Sequence, residues 1–181
     1  MRSALLVVFL ASCTLNATTV GPGSASVGPA KEDGGPVVPR VFLTSACSVK
    51  SGPWLDIGSS MRSIIDGETE AGAIVGVRCR VTPNGGGFLV EATASVAGTG
   101  AFQVAGLFTP DGAGKVLGSF QRADTGKFDQ PDCTVTYPGG VESGAAPGRV
   151  YANLTCPSAK SAQDGRSCAG TATLRFEDCT Q

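Results

Sequence analysis

The sequence predicts an all-β fold: a disulfide-stabilised antiparallel β-sandwich of jelly-roll or immunoglobulin-like kind, with a small β-barrel as the alternative. Three observations lead there. From about residue 41 onward, apolar residues recur at every second position, the period of a strand with one face buried. Gly and Pro turn signals separate these runs at short intervals, and no amphipathic helical stretch lies between them. Seven cysteines stand in a chain whose apolar share is mainly Ala and Val. Small side chains bury little area each, at roughly 25 cal/mol per Å², so such a core gains from covalent support.

Taken in order, Pro39 to Thr44 opens a first strand ending near Cys47, and Trp54 to Ile57 forms a second after the Ser51-Gly52-Pro53 turn. Met61 to Ile65 is a short strand, and Asp66-Gly67-Glu68 turns the chain. Val75, Val77, Cys79 and Val81 share one face, with Arg78 and Arg80 on the other. Pro83 to Gly87 breaks the pattern with turn-forming residues, and Phe88, Val90, Ala92, Ala94 and Val96 resume it opposite Glu91, Thr93 and Ser95. This is a β-hairpin. Phe102, Val104, Gly106 and Phe108 extend it, and the turn Pro110 to Gly114 leads into Val116 to Phe120. Lys127-Phe128 is too short to assign. Cys133, Val135 and Tyr137 alternate with Thr134 and Thr136; Val150, Ala152, Leu154 and Cys156 form another inward row. The last strand runs from Gly170 to Glu177 and turns Ala172, Leu174 and Phe176 inward.

The beginning of the chain has a different character. Met1-Arg2 is a minimal basic start, Ala4 to Leu10 an apolar centre, and Ala11-Ser12 the small residues a signal peptidase needs. Leu10-Ala11-Ser12-Cys13 resembles a bacterial lipobox, which implies that Cys13 becomes the lipidated first residue of the mature protein. The leader is shorter than usual, and an ordinary secretory signal cut near Ala17 is the alternative. From residue 14 to about 40 the composition shifts to Thr, Gly, Pro, Ser, Ala and Val without helical or strand period. A flexible linker of this length reaches about 30 Å. The division is therefore 1–12 signal peptide, 13–40 lipidated Cys13 and linker, and 41–181 a single β domain. Together with Cys133-Thr134-Val135-Thr136, Leu154-Thr155-Cys156-Pro157 and Phe176-Glu177-Asp178-Cys179, the chain resembles small cysteine-rich lipoproteins of myxobacteria-like genomes. That resemblance carries no catalytic residue across. It implies the bacterial cell envelope, and Thr14 in place of aspartate favours the outer membrane; simple secretion is the alternative.

Assigning Cys13 to lipid leaves Cys47, Cys79, Cys133, Cys156, Cys168 and Cys179, an even set suited to three disulfides in an oxidising compartment. Six cysteines pair in 15 ways, and sequence does not choose among them. Chain order suggests Cys156 with Cys168 across the turn from Pro157 to Ser167, Cys133 with Cys179, and Cys47 with Cys79.

Histidine is absent and the formal net charge is −1. The first removes Ser-His-Asp and Cys-His catalysis and imidazole zinc sites; the second gives no electrostatic footprint for nucleic acid. No apolar stretch reaches the roughly 20 residues of a membrane-spanning helix. Asp66, Glu68 and Glu70 are weak candidate calcium ligands without the loop signature such sites use. Asp129 and Asp132 are weaker still. Asp56 and Glu91 are the candidate carboxylates for glycoside hydrolysis, and Gly112-Ala113-Gly114-Lys115 lacks the spacing of a phosphate loop. Trp54, Tyr137 and Tyr151 are the candidate binding residues, because exposed aromatics stack on sugars or anchor partners, although a lone Trp in a small β domain is more often core. Asn16 and Asn153 match the glycosylation pattern by chance. The expectation is a membrane-anchored, extracytoplasmic lipoprotein without enzymatic activity or cofactor, binding a protein or glycan or serving a structural role. A small-molecule or calcium-binding module is the alternative, and a carboxylate-dependent hydrolase ranks last.

Overall fold

The structure is a computed structural model and describes residues 37–112, 114–140 and 142–181. The lipobox, Cys13 and most of the linker lie outside the described residues. The strands are β1 (Arg40–Cys47), β2 (Leu55–Ile57), β3 (Ile64–Ile65), β4 (Thr69–Glu70), β5 (Ala73–Asn84), β6 (Gly87–Val96), β7 (Gly100–Phe108), β8 (Val116–Arg122), β9 (Gly126–Thr136), β10 (Gly144–Ala146), β11 (Arg149–Lys160) and β12 (Ser167–Glu177). Among the described residues there is no helix.

All of these strands belong to one antiparallel sheet, in the order β2-β1-β12-β11-β9-β8-β7-β6-β5-β4, with β10 on β11 and β3 on β1. The sheet is nearly closed into a barrel. The fold is thus all-β and antiparallel, and its single continuous sheet is the barrel alternative rather than two stacked sheets. The reason lies in the connections: β5 through β9 form an unbroken meander of neighbours, so the sheet twists round on itself and no strand switches sheets.

Two devices draw the ends of the sheet together. The short β3 pairs with β1 while β4 pairs with β5, so the segment Ile64 to Glu70 bridges first and fifth strands. Past β12, Asp178 turns the chain with a φ of 54°, and Thr180 then pairs in parallel with Arg80. Its backbone N–H donates to the Cys79 carbonyl at 3.1 Å, and its carbonyl accepts from Val81 N–H at 2.9 Å.

The alternation seen in the sequence becomes the inside and outside of this barrel. Val41 and Leu43 on β1, Val75, Val77 and Val81 on β5, Phe102 and Val104 on β7, and Leu174 and Phe176 on β12 are buried. Outward positions carry Arg78, Arg80, Glu91, Gln103, Thr155 and Thr171. A transmembrane barrel has the reverse arrangement, apolar outside and polar within. The interior is filled by side chains, among them Phe102 and Phe120, whose rings meet edge to face at 5.4 Å.

The disulfides are Cys47–Cys168, Cys79–Cys179 and Cys133–Cys156, with Cα separations of 5.6, 4.8 and 4.5 Å. None of the three pairings suggested by chain order occurs. Cys156 and Cys168 do sit on hairpin neighbours, but Cys156 faces Gly170 and Cys168 faces Ala159, with a bulge between. The offset puts Cys168 at the end of β1, where Cys47 faces Gly170. Cys133 instead finds Cys156 because β9 pairs with β11, Thr134 opposite Thr155. Cys79 takes Cys179 because the C-terminal segment returns to β5. Three such bonds are the chemistry of an oxidising, extracytoplasmic compartment.

One further difference concerns β9. Lys127 and Phe128 belong to the same strand as Cys133 and Val135. Pro131 interrupts the alternation at a bulge: Val116 faces Cys133 whereas Gly118 faces Gln130. The break in period hides the continuity.

Candidate functional site

Polar, outward residues of β5, β6 and β7 line an open cleft of about 450 Å³ on the outside of the barrel. Register builds it. Arg78 faces Thr93, which faces Gln103; one step along, Arg80 faces Glu91, which faces Ala105. Thr180, laid beside Cys79 by the parallel pairing, forms one wall. Ala105 is small, and the rows on either side of it rise as longer side chains.

Most arginines outside this cleft are neutralised by carboxylates. Arg40 is paired with Asp178, Arg62 with Glu68, Arg122 with Asp124, Arg166 with Asp164, and Arg175 with Glu142 and Glu177. Arg78 and Arg80 have no ion pair and no side-chain hydrogen bond among the described residues, although Glu91 faces Arg80 across the ladder. Both guanidinium groups are exposed, and alternate residues on a strand stand about 7 Å apart.

The residues expected to bind are elsewhere and apart. Trp54 is 2% exposed and packs in the core. Its backbone N–H donates to the Ser45 carbonyl at 2.6 Å, and its ring meets Phe128 edge to face at 5.6 Å. The loop carrying it is held to the β8–β9 turn by the Lys50–Asp124 ion pair and by Arg122 donating to the Pro53 carbonyl. Trp54 as a candidate binding residue is therefore corrected: the only indole in the chain belongs to the buried core.

Tyr137 lies just past the other end of β9. Its hydroxyl donates to the Thr109 carbonyl at 2.6 Å, and burial, with the Asp111 charge, pushes its pKa up. With Phe88, Phe108 and Pro110 it lines a smaller cleft of about 210 Å³. Tyr151 stands on the outward face of β11 beside Arg175.

The acidic candidates are used structurally. Glu70 accepts Gly58 N–H with both carboxylate oxygens, at 3.0 and 2.9 Å; Asp66 accepts Val77 N–H at 2.6 Å; Glu68 accepts Ile65 N–H at 3.1 Å and pairs with Arg62. They stitch the bridging segment that closes the sheet, and among the described residues no cluster of metal-ligating side chains forms. Asp56 accepts the Thr44 hydroxyl at 2.7 Å on β2, outside the cleft that holds Glu91. The alternation places Arg78 and Arg80 outward, and two arginines at adjacent outward positions are the available signal. Their convergence with Thr93, Gln103 and Thr180 depends on strand register. No family matches the chain, and neither does any curated protein or solved structure.

Proposed function

We propose that this protein is a lipid-anchored lipoprotein of the bacterial cell envelope whose barrel domain has a non-enzymatic binding role toward a protein or glycan partner. The observation that carries this reading is the cysteine pairing. The six cysteines among the described residues bond to one another, so none of them requires Cys13, and Cys13 stands in a lipobox pattern behind an apolar leader. Disulfides of this kind belong to an extracytoplasmic protein, as lipobox processing does. The linker composition suits a tether, and Thr14 directs the lipoprotein toward the outer membrane. Binding belongs on the outside of the barrel, because the interior is occupied by its own side chains.

The test is metabolic labelling with a palmitate analogue in a Gram-negative host. The wild-type chain incorporates label and fractionates with membranes, and Cys13→Ala does neither. Equal labelling of the two, or a soluble unlabelled wild type, contradicts the anchor; the second result leaves a secreted protein.

A further inference from the structure

We infer that the cleft between Arg78, Arg80, Glu91, Thr93 and Gln103 is a binding site for an acidic glycan, a saccharide carrying carboxylate or phosphate groups among its hydroxyls. This rests on the reading of the domain as a binding module and names its partner class.

Charge is the first argument. Five of the arginines are neutralised by carboxylates of the same chain, as named above, while the two that line the cleft are unpaired among the described residues. A guanidinium presents donors in a fixed fork that matches carboxylate and phosphate oxygens. Two of them, spaced by about 7 Å along one strand, suit anionic groups on neighbouring units of a chain.

The cleft also mixes hydrogen-bonding groups. Glu91 only accepts, whereas Thr93 and Gln103 both donate and accept. Sugar hydroxyls also do both, so they satisfy this set, including the Glu91 carboxylate opposite Arg80. A purely anionic peptide would meet Glu91 with like charge. The lining contains no Trp or Tyr, two of the three residue types, with Arg, on which protein interfaces concentrate their binding energy. Its volume of about 450 Å³ falls within the ordinary range of ligand sites, about 300–1,000 Å³. With no aromatic platform, recognition depends on charge and hydroxyl bonding and weakens as salt rises.

The test is calorimetric titration of the disulfide-bonded chain with oligogalacturonate, a phosphorylated oligomannoside, neutral maltohexaose and poly-L-glutamate. Both arginines point outward, so Arg78→Gln/Arg80→Gln leaves the fold intact, as a thermal melt verifies. Arg149→Gln, at another arginine unpaired among the described residues, on β11, controls for the loss of a surface charge elsewhere. The expected result is binding of at least one acidic saccharide that weakens at least about tenfold in the double variant and within about twofold in Arg149→Gln. Oligogalacturonate and phosphomannoside distinguish carboxylate from phosphate recognition. No binding of either overturns the inference, as does poly-L-glutamate binding as tightly as the saccharides. Maltohexaose binding that survives the double variant overturns this site while leaving a glycan-binding module elsewhere. Palmitate labelling is independent of all these outcomes.

Discussion

Gly118 on β8 approaches Cys156 on β11 so closely that a Cβ at Gly118 would stand 2.5 Å from the Cys156 Sγ. The same atom would lie 2.8 Å from Cys133 Sγ and 2.9 Å from Leu154 Cδ2. The Cys133–Cys156 disulfide is thus packed onto bare backbone. It occupies the volume a side chain on β8 would fill.

Gly118→Ala therefore destabilises the barrel. Restricting the unfolded chain returns about 0.4–1 kcal/mol, but overpacking a filled core costs about 1–3 kcal/mol, and a disulfide cannot swing aside. The net loss is on the order of 1–2 kcal/mol, measured by urea titration with the disulfides intact. Unchanged stability would show that β8 and β11 are further apart.

Gln130 performs a second task at the same level of the barrel. It is 8% exposed, its carbonyl oxygen accepts Ser158 N–H at 2.7 Å, and its amide donates to Asp132 at 3.0 Å. β9 and β11 each carry a bulge here, and the side chain satisfies a backbone donor the ladder leaves free. Gln130→Leu strands that donor and costs about 1–3 kcal/mol. Hydrogen exchange checks the cause: the Ser158 amide loses protection before its neighbours do.

Cys79→Ser/Cys179→Ser releases the C-terminal segment from β5. A removed native disulfide in a small extracellular domain costs about 2–5 kcal/mol. The expected signature is local: the Val81 and Thr180 amides, which pair the segment to β5, exchange fastest. Uniform loss of protection would mean that the bond supports the whole fold rather than this closure.

One surface cluster holds its charge further into acid than an ordinary carboxylate. Asp124 accepts hydrogen bonds from Lys50 and Thr125 and faces Arg122, which together lower its pKa from 3.8 to about 2. A carboxylate whose folded pKa is depressed stabilises the fold above its unfolded pKa, and that contribution is lost as pH falls from 3.8 through about 2. Asp164, lowered by hydrogen bonds from Arg166, acts in the same direction. Asp124→Asn reduces the pH dependence of the melting temperature in that window, and carboxyl NMR titration follows the group directly. A melting temperature equally pH-dependent in variant and wild type contradicts the assignment.

The strands were legible in the sequence because a barrel buried on one face imposes a period of two that local reading detects. Val75 to Val81 and Phe88 to Val96 turn the same residues inward in both readings. What lay beyond reach depends on register. The place of Cys168 beside Cys47 follows from a single-residue bulge in β11, and the partner of Cys79 arrives from the chain terminus. Closure into a barrel has the same origin, since the β3–β4 segment is too short to show periodicity. The cleft was half legible. Arg78 and Arg80 are outward by alternation, but their lack of carboxylate partners is a three-dimensional fact. Trp54 as a binding candidate was the weaker of its two readings, and burial gives it to the core.

The central claim is an extracytoplasmic, disulfide-closed barrel carried on a lipidated Cys13, and intact-mass spectrometry of the protein extracted from membranes of a Gram-negative host tests it most directly. The account predicts a chain beginning at Cys13, heavier by a diacylglyceryl group and an amide-linked acyl chain, and lighter by the hydrogens lost in three disulfides. A mass that retains Met1, or one with free thiols at Cys47, Cys79 or Cys133, would contradict it.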